Sequence, residues 1–454
     1  MLPARAIVAF FGIVPALACA GPAESPAPTV TWQTCDDAAA GVRCGVIRVA
    51  EKRGATSGRT ITIAFDVIHT SGTPGAEPVF ALAGGPGDAS TRLRGAITTG
   101  WPGVVARRDV VLVDQRGTGH SSPLDCAMNA AADPASTFGH IFDRALFAQC
   151  RTQLAAEHDL AAYSTAAAAD DLDDVRAALG YKKMLLWGGS YGTRLAQAYL
   201  QRHGDRVTFA ALDGVAPIDV AIVGRYPVHL QRAVNAVPGA AEPFARIAAR
   251  LRDSPAETTV TDGAGRRVPV KMTHGDFVYA VRGILYGAAG SLELPRLLSA
   301  AETSGDLSIF AQRYWARAAG LDRQLAHGLH LSVFCAEDVP FVTPEDDRAA
   351  AATTAGRYII DEYRDACRIW NIPAVRPAAP QTRVIPALLL SGAFDPVTPD
   401  AMAARAAAWL PAARSFTSPR AGHGISFGCA APAVDAAVTQ AAPAPLPAVC
   451  AAGR

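Results

Sequence analysis

The pentapeptide Gly188-Gly189-Ser190-Tyr191-Gly192 follows the short apolar run Met184 to Trp187 and precedes a helical stretch, Arg194 to Gln201. A serine between glycines at a strand-to-helix turn is a nucleophile elbow. The crowded turn demands glycine on both sides and holds the hydroxyl clear of the sheet, while the new helix supplies N–H groups near the place where an oxyanion would form. A serine hydroxyl is a weak nucleophile that needs a base, and the base needs an orienting acid. In an elbow architecture the chain order is serine, acid, histidine. The sequence supplies Asp395, just after the run Ala387 to Leu390, and then His423 in Gly422-His423-Gly424. Asp213 also ends an apolar run and is the rival acid, disfavoured because it precedes a long insertion. A second cluster, Ala83-Gly84-Gly85-Pro86-Gly87, follows the run Val79 to Ala83. As a dinucleotide fingerprint it lacks the third glycine, replaced by Ser90, and Pro86 stiffens the turn. It reads better as an oxyanion loop, with the N–H groups of Gly85 and Tyr191 aimed at the developing alkoxide. This chemistry calls for no cofactor, and no CxxC spacing points to a metal.

These residues need a sheet to carry them. Short, continuously apolar runs at Val79 to Ala83, Val110 to Asp114, Met184 to Trp187, Phe209 to Leu212 and Ala387 to Leu390 imply strands covered on both faces. Ile61 to His69 adds an alternating strand. Helical stretches lie between them, the clearest beginning near Ala169, where Asp170, Asp171, Asp173 and Asp174 read as compensation of a helix N-terminal dipole and Gly180 as its stop. Arg116 reads as the structural partner of Asp114. Strand and helix in alternation make an α/β fold with a mostly parallel sheet. The pattern turns mainly helical between Val215 and Pro380 and then resumes. The expected organisation is a core in two parts, 21–214 and 381–454, with a helical cap at 215–380 over the sheet's carboxyl edge, where ligands of open α/β sheets bind.

The 454 residues carry 42 Lys plus Arg against 41 Asp plus Glu, which removes any case for general nucleic-acid binding. Arg5, the apolar run Ala6 to Ala18 and Ala18-Cys19-Ala20 read as a signal peptide spanning residues 1–20, with a lipid anchor at Cys19 as the disfavoured rival. No later run is long and apolar enough to span a membrane. The expected location is therefore periplasmic or extracellular. The remaining eight cysteines fall in four close pairs, so sequential bridging is the simplest pattern: Cys35 with Cys44, Cys126 with Cys150, Cys335 with Cys367, and Cys429 with Cys450.

Gly84-Gly85-Pro86-Gly87, Asp114-Gln115-Arg116-Gly117-Thr118-Gly119, the elbow, and Asp395 and His423 in order resemble the proline iminopeptidase and tripeptidyl aminopeptidase group of secreted α/β-hydrolases. The resemblance implies the α/β-hydrolase fold and a serine exopeptidase acting on peptides with a free N-terminus; the enzyme is expected to be a monomer. Its triad would be Ser190, Asp395 and His423. Ala83 stands where the iminopeptidases have histidine, which favours the tripeptidyl-type branch. An exopeptidase needs a carboxylate for the substrate's α-ammonium group, and Glu337 and Asp338, beside Cys335, are the candidates, with structural ion pairing as their alternative. A carboxylesterase or lipase using the same triad, and a non-catalytic binding protein on the same fold, are the competing readings.

Overall fold

The computed structural model describes residues 28–450 except 36–40, 56–57, 71, 73–75, 127–133, 288 and 445–449. The expected signal peptide and Cys19 lie outside the described residues. Nine strands form the main sheet: β1 (Thr31–Gln33), β2 (Val42–Ala50), β3 (Thr60–Ile68), β4 (Val79–Leu82), β5 (Val110–Val113), β6 (Met184–Gly189), β7 (Val207–Asp213), and, after an insertion, β10 (Ala387–Gly392) and β11 (Ala413–Ser418). Their order is β1-β2-β3-β5-β4-β6-β7-β10-β11. The first three pair antiparallel with their neighbours, and every pairing from β5 to β11 is parallel. Strands β4, β5 and β10 are buried at every position, as continuous apolar runs flanked on both faces should be. The exchange of β4 and β5 in the order makes a switch point beside β6, so the loops leaving β4 and β6 diverge from one spot at the carboxyl edge.

The insertion between β7 and β10 is mainly helical but contains an antiparallel hairpin, β8 (Ala256–Thr261) and β9 (Arg267–Met272). Sequence reading treated this stretch as helical. The insertion also divides by packing. Leu230, Phe244, Phe277, Leu298, Phe310 and Tyr314 belong to a core of their own. The later helices His327–Glu337 and Tyr358–Trp370 instead send Leu329, Phe334, Ile360 and Trp370 into the core of the main sheet. Disulfides join Cys35 to Cys44, Cys126 to Cys150, Cys335 to Cys367 and Cys429 to Cys450. Among the described residues no helix is long and apolar enough to cross a membrane.

The acidic cluster lies elsewhere than the dipole reading put it. Its helix is Thr165–Ala178, capped by the Ser164 side chain, so the four aspartates sit in its second and third turns. They hold arginines: Asp171 pairs with the buried Arg116 and with Arg53, Asp170 with Arg202, and Asp173 with Arg176 and Arg206. Arg116 is thus partnered by Asp171 at 2.6 Å, not by Asp114. The Asp114 carboxylate instead accepts N–H groups of Thr91 and His120, tying together the loops that follow β4 and β5.

Candidate active site

Ser190 sits between β6 and the helix Tyr191–His203 at φ 54° and ψ −121°. A non-glycine residue at positive φ stores strain on the order of 1–3 kcal/mol, which surrounding structure must impose. The imposing contact is close packing of the elbow against the strands. A Cβ on Gly192 would lie 2.2 Å from the Leu82 carbonyl oxygen, and one on Gly188 2.5 Å from that of Gly192. The loop after β4 approaches from the other side, so that a Cβ added to Gly84 would be 3.0 Å from Ser190 Cβ. Gly85 follows at φ 105° and lines the same cavity as Ser190. Tyr191 opens the helix, where backbone N–H groups lack intrahelical partners. Its phenol points away, buried against Thr165 and Gln115.

Asp395 lies on the turn after β10 and is fully buried. It accepts N–H bonds from Val397 at 2.8 Å and Thr398 at 2.9 Å, and the Thr398 hydroxyl donates to its Oδ2 at 2.9 Å. The same Oδ2 is 2.8 Å from His423 Nδ1. Burial by itself raises a carboxyl pKa; here the neighbouring His423 and these hydrogen bonds outweigh it and hold Asp395 below the ordinary value. The carboxylate is therefore ionised, Nδ1 of His423 carries the proton, and Nε2 is the free basic nitrogen. His423 lines the cavity of about 520 Å³ that Ser190 and Gly85 also line.

The rival acid has a different task. Asp213 Oδ2 accepts the N–H groups of Ile425 at 2.7 Å and Ser426 at 2.6 Å. It fixes the loop that carries His423 rather than the imidazole itself. Two indoles hold that loop from below: Trp101 donates to the Ser426 carbonyl and Trp187 to its hydroxyl. Phe427 stacks on Trp101 at 4.8 Å between centroids. On the opposite side the His423 N–H donates to the carbonyl of Tyr286, the last residue of the helix His274–Tyr286, and the two rings lie 4.8 Å apart.

Glu337 and Asp338 do not reach this cavity, which corrects their assignment to a substrate amine. Glu337 is buried and accepts the Thr165 N–H at 2.7 Å. Asp338 is fully buried, pairs with Arg194 at 2.9 Å and accepts the first N–H groups of the helix Ile222–Ala236. Asp338 is committed to a buried charge and both carboxylates to backbone donors at helix starts, where their loss would leave those groups unsatisfied. The carboxylates that line the cavity are Asp88 and Asp213. Sequence reading also passed over Thr398, Tyr286, Arg282, Arg317 and His330, all at or beside the cavity. Of these only Thr398 carried a local signal, standing three residues after Asp395 in a turn.

Sheet order, strained serine elbow and late Asp–His pair define a protein of the α/β-hydrolase fold. Residues 81–250 match the family described as alpha/beta hydrolase fold, and residues 352–441 match the family described as TAP-like protein. The chain is 31% identical over 196 residues to a tripeptidyl aminopeptidase of Streptomyces coelicolor, covering 38% of this chain and 35% of that one. It is 34% identical over 146 residues to a proline iminopeptidase of Neisseria gonorrhoeae, covering 32% and 34%. A longer alignment, 26% identical over 362 residues and covering 70% and 69%, joins it to the serine protease Hip1 of Mycobacterium bovis. The chain thus spans about a third of the length of the aminopeptidase and iminopeptidase it matches.

Proposed function

We propose that this protein is an exported serine hydrolase that cleaves peptides from a free N-terminus through an acyl-enzyme on Ser190. The observation that carries the reading is the 2.8 Å Asp395–His423 bond beside a serine held at positive φ in the same cavity. In the mechanism, His423 Nε2 takes the Ser190 proton as Oγ attacks the carbonyl. Asp395 keeps Nδ1 protonated and stabilises the imidazolium, and the oxyanion is held by the N–H groups of Gly85 and Tyr191. His423 then gives the proton to the leaving amine, and water repeats the sequence on the acyl-enzyme. Peptidase names among the relatives favour the amide substrate. Asp88, on the loop after β4, takes over the role of receiving the α-ammonium group. Export is supported by four disulfides, which persist in oxidising compartments. The working form in this reading is a monomer.

A fluorophosphonate probe tests the nucleophile: wild type should be labelled and Ser190→Ala should not. Comparing peptides with free and acetylated N-termini tests the exopeptidase reading. Equal cleavage of both would leave an endopeptidase or esterase in its place.

A further inference from the structure

Two carboxylates and two arginines face the Ser190 cavity, and they are not paired with one another. Arg282, on the helix His274–Tyr286, is 5% exposed and lines the cavity, and Arg317, on the helix Ser308–Gln324, lines it as well. Among the described residues, no carboxylate lies within ion-pair distance of either guanidinium. Other buried arginines follow the opposite rule: Arg116 has Asp171 and Arg194 has Asp338. Arg282 is instead surrounded by aromatic rings. Its guanidinium carbon is 4.5 Å from the Tyr226 centroid, 5.1 Å from Tyr286 and 5.4 Å from Tyr279, and one terminal nitrogen donates to the Tyr286 hydroxyl at 3.2 Å. Arg317 lies 4.2 Å from the Tyr286 ring. Nε of each arginine is buried with no protein acceptor.

Arginine cannot shed its proton. Cation–π contacts offset part of the desolvation of a buried guanidinium, but an opposite charge with bidentate geometry offsets far more. The pair is also close to the chemistry. Tyr286 is the common neighbour, with both guanidinium groups near its ring and the His423 ring 4.8 Å away. Two steps of about 5 Å from the base are covered by roughly three extended residues. Asp88, whose carboxylate accepts the Ala89 N–H at 2.9 Å and lines the cavity, pairs by a backbone bridge with Leu325, two helical turns beyond Arg317. That puts the backbone at Asp88 on the order of 12 Å along the helix from the backbone at Arg317, a spacing suited to a short peptide.

We propose that Arg282 and Arg317 form a subsite for a carboxylate of the substrate, so that the preferred substrates are short peptides carrying a negative charge within about three residues of the scissile bond. This rests on the peptide-hydrolase reading above. The charge has two sources, the terminal carboxylate of a short peptide or an acidic side chain, and both present the same planar anion.

Binding to the full-length Ser190→Ala variant, measured by isothermal titration, tests the subsite without requiring turnover. The ligands are tetra-alanine with a free C-terminus, its C-terminal amide, and the amide with glutamate at each position in turn. At least one carboxylate peptide should bind tenfold or more tightly than tetra-alanine amide. Preference for the free acid assigns the terminal carboxylate, and preference for one glutamate position assigns a side chain. In the Ser190→Ala background, Arg317→Gln should reduce that ratio at least fivefold. Arg282→Lys, which keeps charge but loses the fork, should reduce it in part, and Arg282→Gln more. A ratio near one in the Ser190→Ala protein overturns the subsite. So does a ratio that stays intact in Arg317→Gln and in a folded Arg282→Gln. Neither result touches the hydrolase reading, which fails separately if wild type is not labelled by fluorophosphonate.

Discussion

His330 is buried on the helix His327–Glu337, and lowering the pH should destabilise the protein through it. Its Nδ1 donates to the Pro86 carbonyl at 2.9 Å, inside the proposed oxyanion loop, and Nε2 accepts the Tyr363 hydroxyl at 2.9 Å. The second bond requires the neutral ring, because a protonated Nε2 has no lone pair to accept with. Burial, reinforced by the nearby His327 and Arg282 and opposed by the Pro86 bond, pushes its pKa down to about 3. In the unfolded chain histidine titrates near 6.5. As pH falls through about 6.5 the unfolded state takes the proton first, so stability is complete above that value. It is then lost at about 1.4 kcal/mol per pH unit until the folded ring also titrates. At pH 5 the loss is on the order of 2 kcal/mol for this side chain. His229, whose Nδ1 donates to the Val397 carbonyl and whose pKa is lowered to about 4, adds a similar amount. Urea unfolding of wild type and His330→Asn at pH 8, 6 and 5 isolates the effect, because contributions from other groups cancel between the two proteins. The difference in unfolding free energy should shrink by roughly 2 kcal/mol from pH 8 to pH 5. Parallel pH profiles would refute the argument that His330 is held neutral.

Ser190→Gly should abolish probe labelling yet raise the free energy of urea unfolding by roughly 1 kcal/mol, since glycine accepts φ 54° freely; a lower unfolding free energy would show that the elbow is unstrained. Asp395→Asn keeps an acceptor for the Val397 and Thr398 N–H groups but favours the wrong histidine tautomer. It should therefore fold and lose about 10⁴ in kcat with little change in KM, and a loss confined to KM would contradict the role. Replacing Cys335 and Cys367 by alanine opens a loop with sequence separation 32. Calorimetry should show a stability loss of about 3–4 kcal/mol, and an unchanged Tm would mean that the bridge constrains nothing.

The elbow and the pairing of Asp395 with His423 were legible because each belongs to a turn directly after a strand or between glycines, where local chemistry decides the conformation. The strand runs Val79, Val110, Met184 and Ala387 were legible for the same reason, being apolar throughout. The hairpin β8–β9 was hidden by its exposure: Glu257, Arg267 and Lys271 face solvent. Its turn at Asp262-Gly263 was the one available signal. Glu337 and Asp338 were misplaced because their partners, Thr165, Arg194 and the Ile222 and Val223 amides, lie more than one hundred residues away in the chain. Arg282, Arg317 and Tyr286 were invisible for a related reason. On an amphipathic helix a cavity-facing residue and a solvent-facing one have the same spacing, and only packing distinguishes them.

The bond from the His423 N–H to the Tyr286 carbonyl ties the insertion to the proposed base by its backbone, beyond the reach of side-chain substitution. Withdrawing that carbonyl would leave the loop bearing His423 held from the sheet side alone, by Asp213 and the two indoles. The insertion and the proposed base are thus coupled through a single main-chain bond, which any shift of the helix end at Tyr286 would register at the imidazole.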